Sequence, residues 1–126
     1  MTVKELKNKW NGRNIYNNPL MEEELVRSYS EDLENTFKTL LKANGGELIR
    51  FDFNLDYVSG YAMRGGKFVY FNYRMPNENG KINLDDNSWM NGILVRSLSS
   101  INDTVGGDAN YCNFDGFNKT LSRVAL

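Results

Sequence analysis

The feature that most constrains the fold is an abrupt change in apolar spacing at the tripeptide Asn44-Gly45-Gly46. Before it, from about residue 20 to 43, apolar side chains recur every three or four residues, which predicts one long helix with a single apolar stripe. After it, residues 49–57 alternate between apolar and polar side chains, which is typical of a half-buried strand. Asn18-Pro19 is suited to begin the helix, and the glycines are suited to end it.

The remaining elements follow from capping and turn signals. Thr2 and Glu5 have the spacing of a capping box, which predicts a first helix over about residues 3–9. Gly65-Gly66 is suited to a tight hairpin turn. Strands are predicted at residues 60–64, 67–74 and 92–98, with a short one near 81–84, and a loop at 99–108. A last helix is predicted to begin at Asp108 and to place Tyr111, Phe114, Phe117, Leu121 and Val124 on one face.

These elements predict an α+β fold. We expect an antiparallel sheet of about four to five strands, with the long helix in the N-terminal half and a second helix at the C-terminus. At 126 residues the chain has the usual size of one domain, spanning residues 1–126. The long helix and the abundant aromatic residues favour a protein that is not monomeric.

Composition argues against several functional classes. The chain has no histidine, so the commonest general base and the commonest metal ligand are both missing. Its one cysteine, Cys112, is expected to be a buried apolar residue. The net charge of −1 includes no basic cluster, which argues against DNA or RNA polymers as partners. We expect a binding protein without catalytic residues, cofactor or metal, located in the cytoplasm and without a membrane partner.

The segment from Thr104 to Asn110 is the first candidate site. Backbone N–H groups at Gly106 and Gly107 can converge on an anion, and a helix that began at Asp108 would point its N-terminus at the same place. The alternative is a plain turn followed by a helix cap. Neither a Walker lysine nor a GxGxxG pattern is present.

Arginine and aromatic residues supply the second set of candidates. Arg64, Arg74 and Arg96 lie on or beside predicted strands, where a guanidinium can hold a phosphate through two parallel hydrogen bonds. Each can instead be a solvent-facing residue paired with an aspartate. Trp89 lies in a polar segment and can stack on a base, as can Tyr70 and Tyr73, although rings also serve core packing.

Three segments carry a resemblance to a known family. KFVYFNYRMPN (67–77), NSWMNGILVRSLSS (87–100) and VGGDANYCNFDGFNK (105–119) resemble the first Thoeris anti-defence family of phages, mainly over residues 68–119. The resemblance implies an α/β protein of the host bacterial cytoplasm that sequesters cyclic ADP-ribose isomers intact, and that assembles as dimers or hexamers with pockets between protomers.

Chemistry within these matching segments, together with Arg64 just before the first of them, gives the candidate ligand-binding residues. They are Arg64, Arg74, Trp89, Asn91, Arg96, Gly106, Gly107, Asp108 and Asn110. The expected partner is a small phosphorylated, nucleotide-like ligand. The alternative function is that of a protein–protein inhibitor of a bacterial defence nuclease, of the anti-CRISPR or anti-restriction type.

Overall fold

Helices cover one face of an antiparallel sheet in the computed structural model, which describes residues 1–15, 22–54, 56–76 and 80–125. In chain order the elements are α1 (Val3–Trp10), α2 (Glu22–Ala43), β1 (Gly46–Phe53), β2 (Tyr57–Arg64), β3 (Lys67–Arg74), β4 (Ile93–Leu98), β5 (Asn110–Cys112) and α3 (Phe117–Val124). The predicted α+β class, with a long helix in the N-terminal half and a C-terminal helix, is confirmed.

The sheet has the strand order β1-β2-β3-β4-β5, and each strand pairs antiparallel with the next. Gly65 and Gly66 have φ values of 57° and 78°, and they close the β2–β3 hairpin as predicted. On β3, Val69, Phe71 and Tyr73 are buried on one face while the alternate residues are only partly buried. The sheet therefore has one face that is part of the core and one face that is only partly buried.

Phe37 of α2 lies at the centre of the core. Its ring centroid is 4.4 Å from that of Phe71 on β3, 5.2 Å from Phe114 and 5.3 Å from Phe117 on α3. The long helix and the C-terminal helix therefore pack on the same face of the sheet. The opposite face carries no helix in the part of the chain that is described, and we call it the helix-free face.

The helix ends follow the predicted capping chemistry where the structure describes them. The Thr2 side chain accepts from the Glu5 N–H, and the Glu5 carboxylate accepts from the Thr2 N–H, so the capping box is confirmed. Gly45, with φ of 73°, donates its N–H to the Lys42 carbonyl just after α2 ends. The predicted Asn18-Pro19 start of α2 lies outside the described residues.

The predicted strand over residues 49–57 was wrong in its bounds. β1 ends at Phe53 and β2 begins at Tyr57, with Asn54 accepting the N–H groups of Asp56 and Tyr57 through its side chain. Register also shifts between Leu48 and Arg50, so Ile49 is the extra residue of a β-bulge. Apolar alternation continued through a hairpin, so the pattern did not reveal the turn.

Two further predictions were wrong. Residues 81–84 form no strand, because Ile82 instead exchanges backbone hydrogen bonds with Gly12 and Arg13 of the loop after α1. The last helix does not begin at Asp108: residues 110–112 pair with β4 as β5, and α3 begins at Phe117 with Gly116 at its N-cap. The side chain of Asn113 accepts the Gly116 N–H at 2.8 Å.

Candidate ligand-binding face

Four side chains form a row across four strands on the helix-free face. The register pairs Arg50 with Tyr61, Tyr61 with Tyr70, and Tyr70 with Arg96. The two tyrosine ring centroids are 5.3 Å apart, the Arg96 guanidinium lies 4.9 Å from the Tyr70 centroid, and that of Arg50 lies 6.0 Å from the Tyr61 centroid. A cation therefore stands at each end of an aromatic pair, within cation–π distance.

Arg96 is the residue of this row best placed to bind an anion. Its Nε is buried and has no hydrogen-bond partner within the described ranges. A guanidinium stacked on a ring keeps its N–H groups in the guanidinium plane, where they can donate to a phosphate or carboxylate. Stacking on Tyr70 therefore orients the group and leaves it hydrogen-bonding capacity.

Gly106 shapes the surroundings of Arg96. A Cβ at this glycine, whose φ is 69°, would lie 2.8 Å from the Arg96 Cδ. Absence of a side chain lets the 99–107 loop approach the arginine closely. Gly106 was predicted to be an anion donor, whereas in the structure its N–H donates to the Asp103 side chain at 3.0 Å.

The loop after β4 is organised around the Asp103 carboxylate. It accepts the backbone N–H groups of Ser99, Val105 and Gly106, and these bonds hold the pKa of Asp103 well below its ordinary value. The Gly107 N–H donates to the Ser97 carbonyl. Because these donors are used internally and no helix begins at Asp108, the premise of the anion cradle was wrong.

Arg74 and Asn91 lie together in a second place. They line a groove of about 420 Å³ at the end of β3, which Lys81 and Asp86 also line. Asn91 donates from its side chain to the Asp86 carboxylate at 3.1 Å, and the backbone N–H of Ser88 lowers the pKa of Asp86. The groove thus contains both signs of charge.

Other predicted site residues are spread over the molecule. Arg64 donates from Nε to the Asn44 carbonyl at 2.9 Å, beside the end of α2. Asn110 donates from its side chain to the Asp108 carbonyl at 3.0 Å, at the β5 edge of the sheet. Trp89 is 68% exposed. The structure therefore brings Arg74 near Asn91 and Arg96 near Gly106, but it does not gather the nine residues into one pocket.

Arg50 and Tyr61 were not predicted as site residues. Their proximity depends on strand register, and the β-bulge at Ile49 sets which residue of β1 faces Tyr61. Tyr70 was recognised as a stacking candidate, and in the structure it lies on the face of β3 opposite to the buried Val69, Phe71 and Tyr73. A search of cross-strand neighbours for tyrosine and arginine could have found this row.

A cluster of acidic side chains or a reactive thiol would point to metal or thiol chemistry in the described residues. No three acidic or cysteine side chains there come together as a metal site. Cys112 is buried, as predicted, and burial raises the pKa of its thiol to about 11. Within the same ranges no helix combines the length and apolar character needed to cross a bilayer.

Comparison with known proteins gives no family: no family model, curated protein or solved structure matches the chain. The resemblance to the Thoeris anti-defence family therefore stays a prediction.

Proposed function

We propose that this protein binds a small nucleotide-type signal, of the cyclic ADP-ribose kind, on its helix-free face and sequesters it without cleavage. The observation that carries the proposal is the Arg96 guanidinium, stacked on Tyr70 with a buried, unsatisfied Nε. The base of a nucleotide has a flat face that can stack beside Tyr61 and Tyr70, while the phosphates of the nucleotide require a charged donor. The row supplies both kinds of contact within a few ångströms.

Sequestration rather than turnover agrees with the side chains that surround the row. Asn72 donates from its side chain to the Tyr70 hydroxyl at 3.1 Å, which holds the hydroxyl end of the ring in place. Arg50, at the other end, forms an ion pair with Asp52. Arginine remains protonated at neutral pH and is a poor proton acceptor, so these groups serve binding better than general base catalysis.

Calorimetry with purified cyclic ADP-ribose isomers tests the site. Arg96→Ala removes a charge-assisted hydrogen bond worth roughly 1.5–3 kcal/mol, so affinity should fall by about one to two decades. Lys119→Ala, an exposed change on α3, removes a positive charge away from the face and should bind as the wild type does. Unchanged affinity in Arg96→Ala would refute this site.

We also expect Arg74→Ala to weaken binding at least about tenfold. Comparing its affinity with that of the wild type shows whether the ligand extends towards the groove at the end of β3.

The chemical state of the ligand is a separate test. After incubation and denaturation, chromatography should recover the cyclic compound unchanged. Appearance of linear ADP-ribose or AMP would make the protein a hydrolase and would refute sequestration.

A second candidate function, inhibition of a defence nuclease by surface contact, is favoured by the loop that carries Trp89. Trp89 and Met90 are 68% and 48% exposed, yet their loop is held by the Gly92 N–H to the Ser88 carbonyl and by Asp86. An exposed tryptophan on an ordered loop is typical of an interface anchor. Native mass spectrometry of protein purified from cells with an active immune signal separates the two functions: a nucleotide-sized mass supports sequestration, and a bound polypeptide supports inhibition.

A further inference from the structure

Strand β1 is an edge of the sheet, and its outer backbone groups have no neighbouring strand within the described residues. An edge of this kind is a template for pairing with another strand. Ile49 and Phe53 on this strand are 46% and 42% exposed, although both are apolar. The edge therefore combines available backbone hydrogen bonds with exposed apolar side chains, which is the chemistry of strand addition.

The sequence of this edge is complementary to itself. If two copies of β1 pair antiparallel about a two-fold axis at Phe51, Arg50 of one copy faces Asp52 of the other, twice over. Ile49 then faces Phe53. Opposite charges and apolar pairs on facing strands are the favourable cross-strand combinations. Arg50 and Asp52 already form an ion pair within the chain at 2.8 Å, and their side chains are still 67% and 42% exposed.

Helix α2 repeats the same symmetry in its charges. Glu23, Arg27, Glu34 and Lys38 are spaced by four, seven and four residues, so they share one stripe of the helix. Reversing the direction of this stripe places Glu23 opposite Lys38 and Arg27 opposite Glu34. If a two-fold axis passes between residues 30 and 31, each of the four charged residues of the stripe therefore faces an opposite charge on the other copy.

The two symmetric patterns lie beside each other in the structure. A groove between α2 and β1 is lined by Arg27, Ser30, Glu31 and Glu34 on the helix side and by Phe51 and Phe53 on the strand side. The helix residues nearest Phe51 are thus those around the midpoint of the charge stripe. One two-fold axis can therefore pass close to Phe51 and to the midpoint of the charge stripe on α2. This coincidence favours a second copy of the chain as the partner.

We propose that the β1 edge and the α2 charge stripe form an isologous interface with a second copy of this chain. The β-bulge at Ile49 limits regular pairing to a short stretch, Arg50–Asp52, beyond which Phe53 of one copy meets the bulge residue Ile49 of the other. Strand pairing alone would fall below the ~1,000 Å² that a specific interface needs, so the helix stripe must supply further area. The two sheets become one continuous sheet across the axis, with α2 of both copies on the same face.

Charge reversal tests this interface directly by native mass spectrometry and light scattering. The wild type should have twice the chain mass of 14.5 kDa. Arg50→Asp places two aspartates opposite each other, and Asp52→Arg places two arginines opposite each other. Each variant alone should therefore dimerise at least about tenfold more weakly. Mixed in equal amounts they should form a heterodimer, because the mixed pair restores every opposite charge.

The helix stripe provides an independent pair of variants. Arg27→Glu and Glu34→Arg should each weaken the dimer, and their mixture should restore it. Since residues 27 and 34 form no ion pair with each other in one chain, restoration on mixing has no intrachain explanation. Lys119→Asp on α3 is the matched control and should leave the mass unchanged.

Three results would overturn the proposal: a wild type of 14.5 kDa at micromolar concentration, an oligomer that survives the strand or helix reversals, or single variants that do not combine on mixing. None of these measurements involves a ligand, so the outcome is separate from that of the proposed function.

Discussion

Gly60 on β2 lies beneath the ring of Phe71 on β3, and an alanine there should destabilise the protein although alanine is the better residue for most strands. A Cβ at Gly60 would stand 2.2 Å from the Phe71 Cζ, 2.6 Å from Cε1 and 2.9 Å from Cε2. Carbon atoms in contact normally lie about 3.5–4.0 Å apart. One side of this pair must therefore move by roughly 1.3 Å or more.

The ring has little room to retreat. Phe37 lies on Phe71 with ring centroids 4.4 Å apart, Phe117 is at 5.6 Å, and all three side chains are fully buried. Overpacking a close-packed core by one methyl group costs about 1–3 kcal/mol. With a urea m-value of about 1–3 kcal/mol/M, the Gly60→Ala midpoint should fall by roughly 1 M.

Urea unfolding followed by tryptophan fluorescence measures this change. Gly46→Ala on β1 is the matched control, since its Cβ would meet no atom closer than 3.3 Å, and it should cost less than Gly60→Ala. Combining Gly60→Ala with Phe71→Leu should cost at least about 0.5 kcal/mol less than the sum of the single changes, because the smaller side chain leaves room for the methyl group. A Gly60→Ala variant as stable as the wild type would refute the steric argument.

Three further outcomes are expected. Asp32→Ala should lower the free energy of unfolding by about 1–3 kcal/mol in a urea titration, because the buried Trp10 indole N–H donates to Asp32 at 2.8 Å and would lose its acceptor. Since backbone donors lower the pKa of Asp103, its contribution to stability is complete above the ordinary carboxyl pKa near 3.9 and is lost as the pH falls below it. The melting temperature of the wild type should therefore fall more steeply on acidification through that range than that of Asp103→Asn, and parallel curves would contradict this. The raised pKa and burial of Cys112 should make a thiol reagent at pH 8 react at least about tenfold more slowly with the native chain than with the denatured chain, and equal rates would contradict this.

Local signals in the sequence predicted the elements whose ends are fixed by local chemistry. The capping box at Thr2, the glycine after α2 and the Gly65-Gly66 turn each act within a few residues, and each is confirmed. β3 was predicted with its observed bounds, residues 67–74, because a turn precedes it and period-two alternation runs its whole length. At these signals the start of α1, the end of α2 and the two strand ends that flank the Gly65-Gly66 turn agree with the prediction, whereas β1 begins at Gly46 rather than at residue 49.

The errors occurred where tertiary pairing decides the outcome. Tyr111 has a spacing from Phe114 and Phe117 that suits a helix, but the edge of β4 offers residues 110–112 backbone partners, and they become β5. Gly116 falls inside the helix that was predicted to begin at Asp108, whereas in the structure it stands at the N-cap of α3. The prediction of the candidate site was incomplete for the same reason. The row formed by Arg50, Tyr61, Tyr70 and Arg96 depends on the register of four strands.

The bulge at Ile49 gives a final prediction that separates register from residue identity. Leu48 pairs with Ala62 and Arg50 pairs with Tyr61, so Ile49 is the unpaired residue. Deleting Ile49 joins two stretches that are already in register and keeps each side chain on its present face. We expect the shortened chain to fold, with a free energy of unfolding, measured by urea titration, within about 1 kcal/mol of that of the wild type. Deleting Asn72 is the control, because it would turn the buried Tyr73 outwards and should prevent folding.

Loss of the bulge should also change association. A bulge interrupts an edge strand and so limits pairing with other chains. Without it the regular edge lengthens beyond Arg50–Asp52, and Leu48 takes the place of Ile49 opposite Phe53 of the other copy. Light scattering should then show dimers that persist at lower protein concentration, or larger aggregates. If the deletion variant folds yet associates no more strongly than the wild type, the bulge does not restrain this edge. If the variant fails to fold, Ile49 is needed for the register of β1 itself, and the assignment of the bulge as a tolerated insertion is wrong.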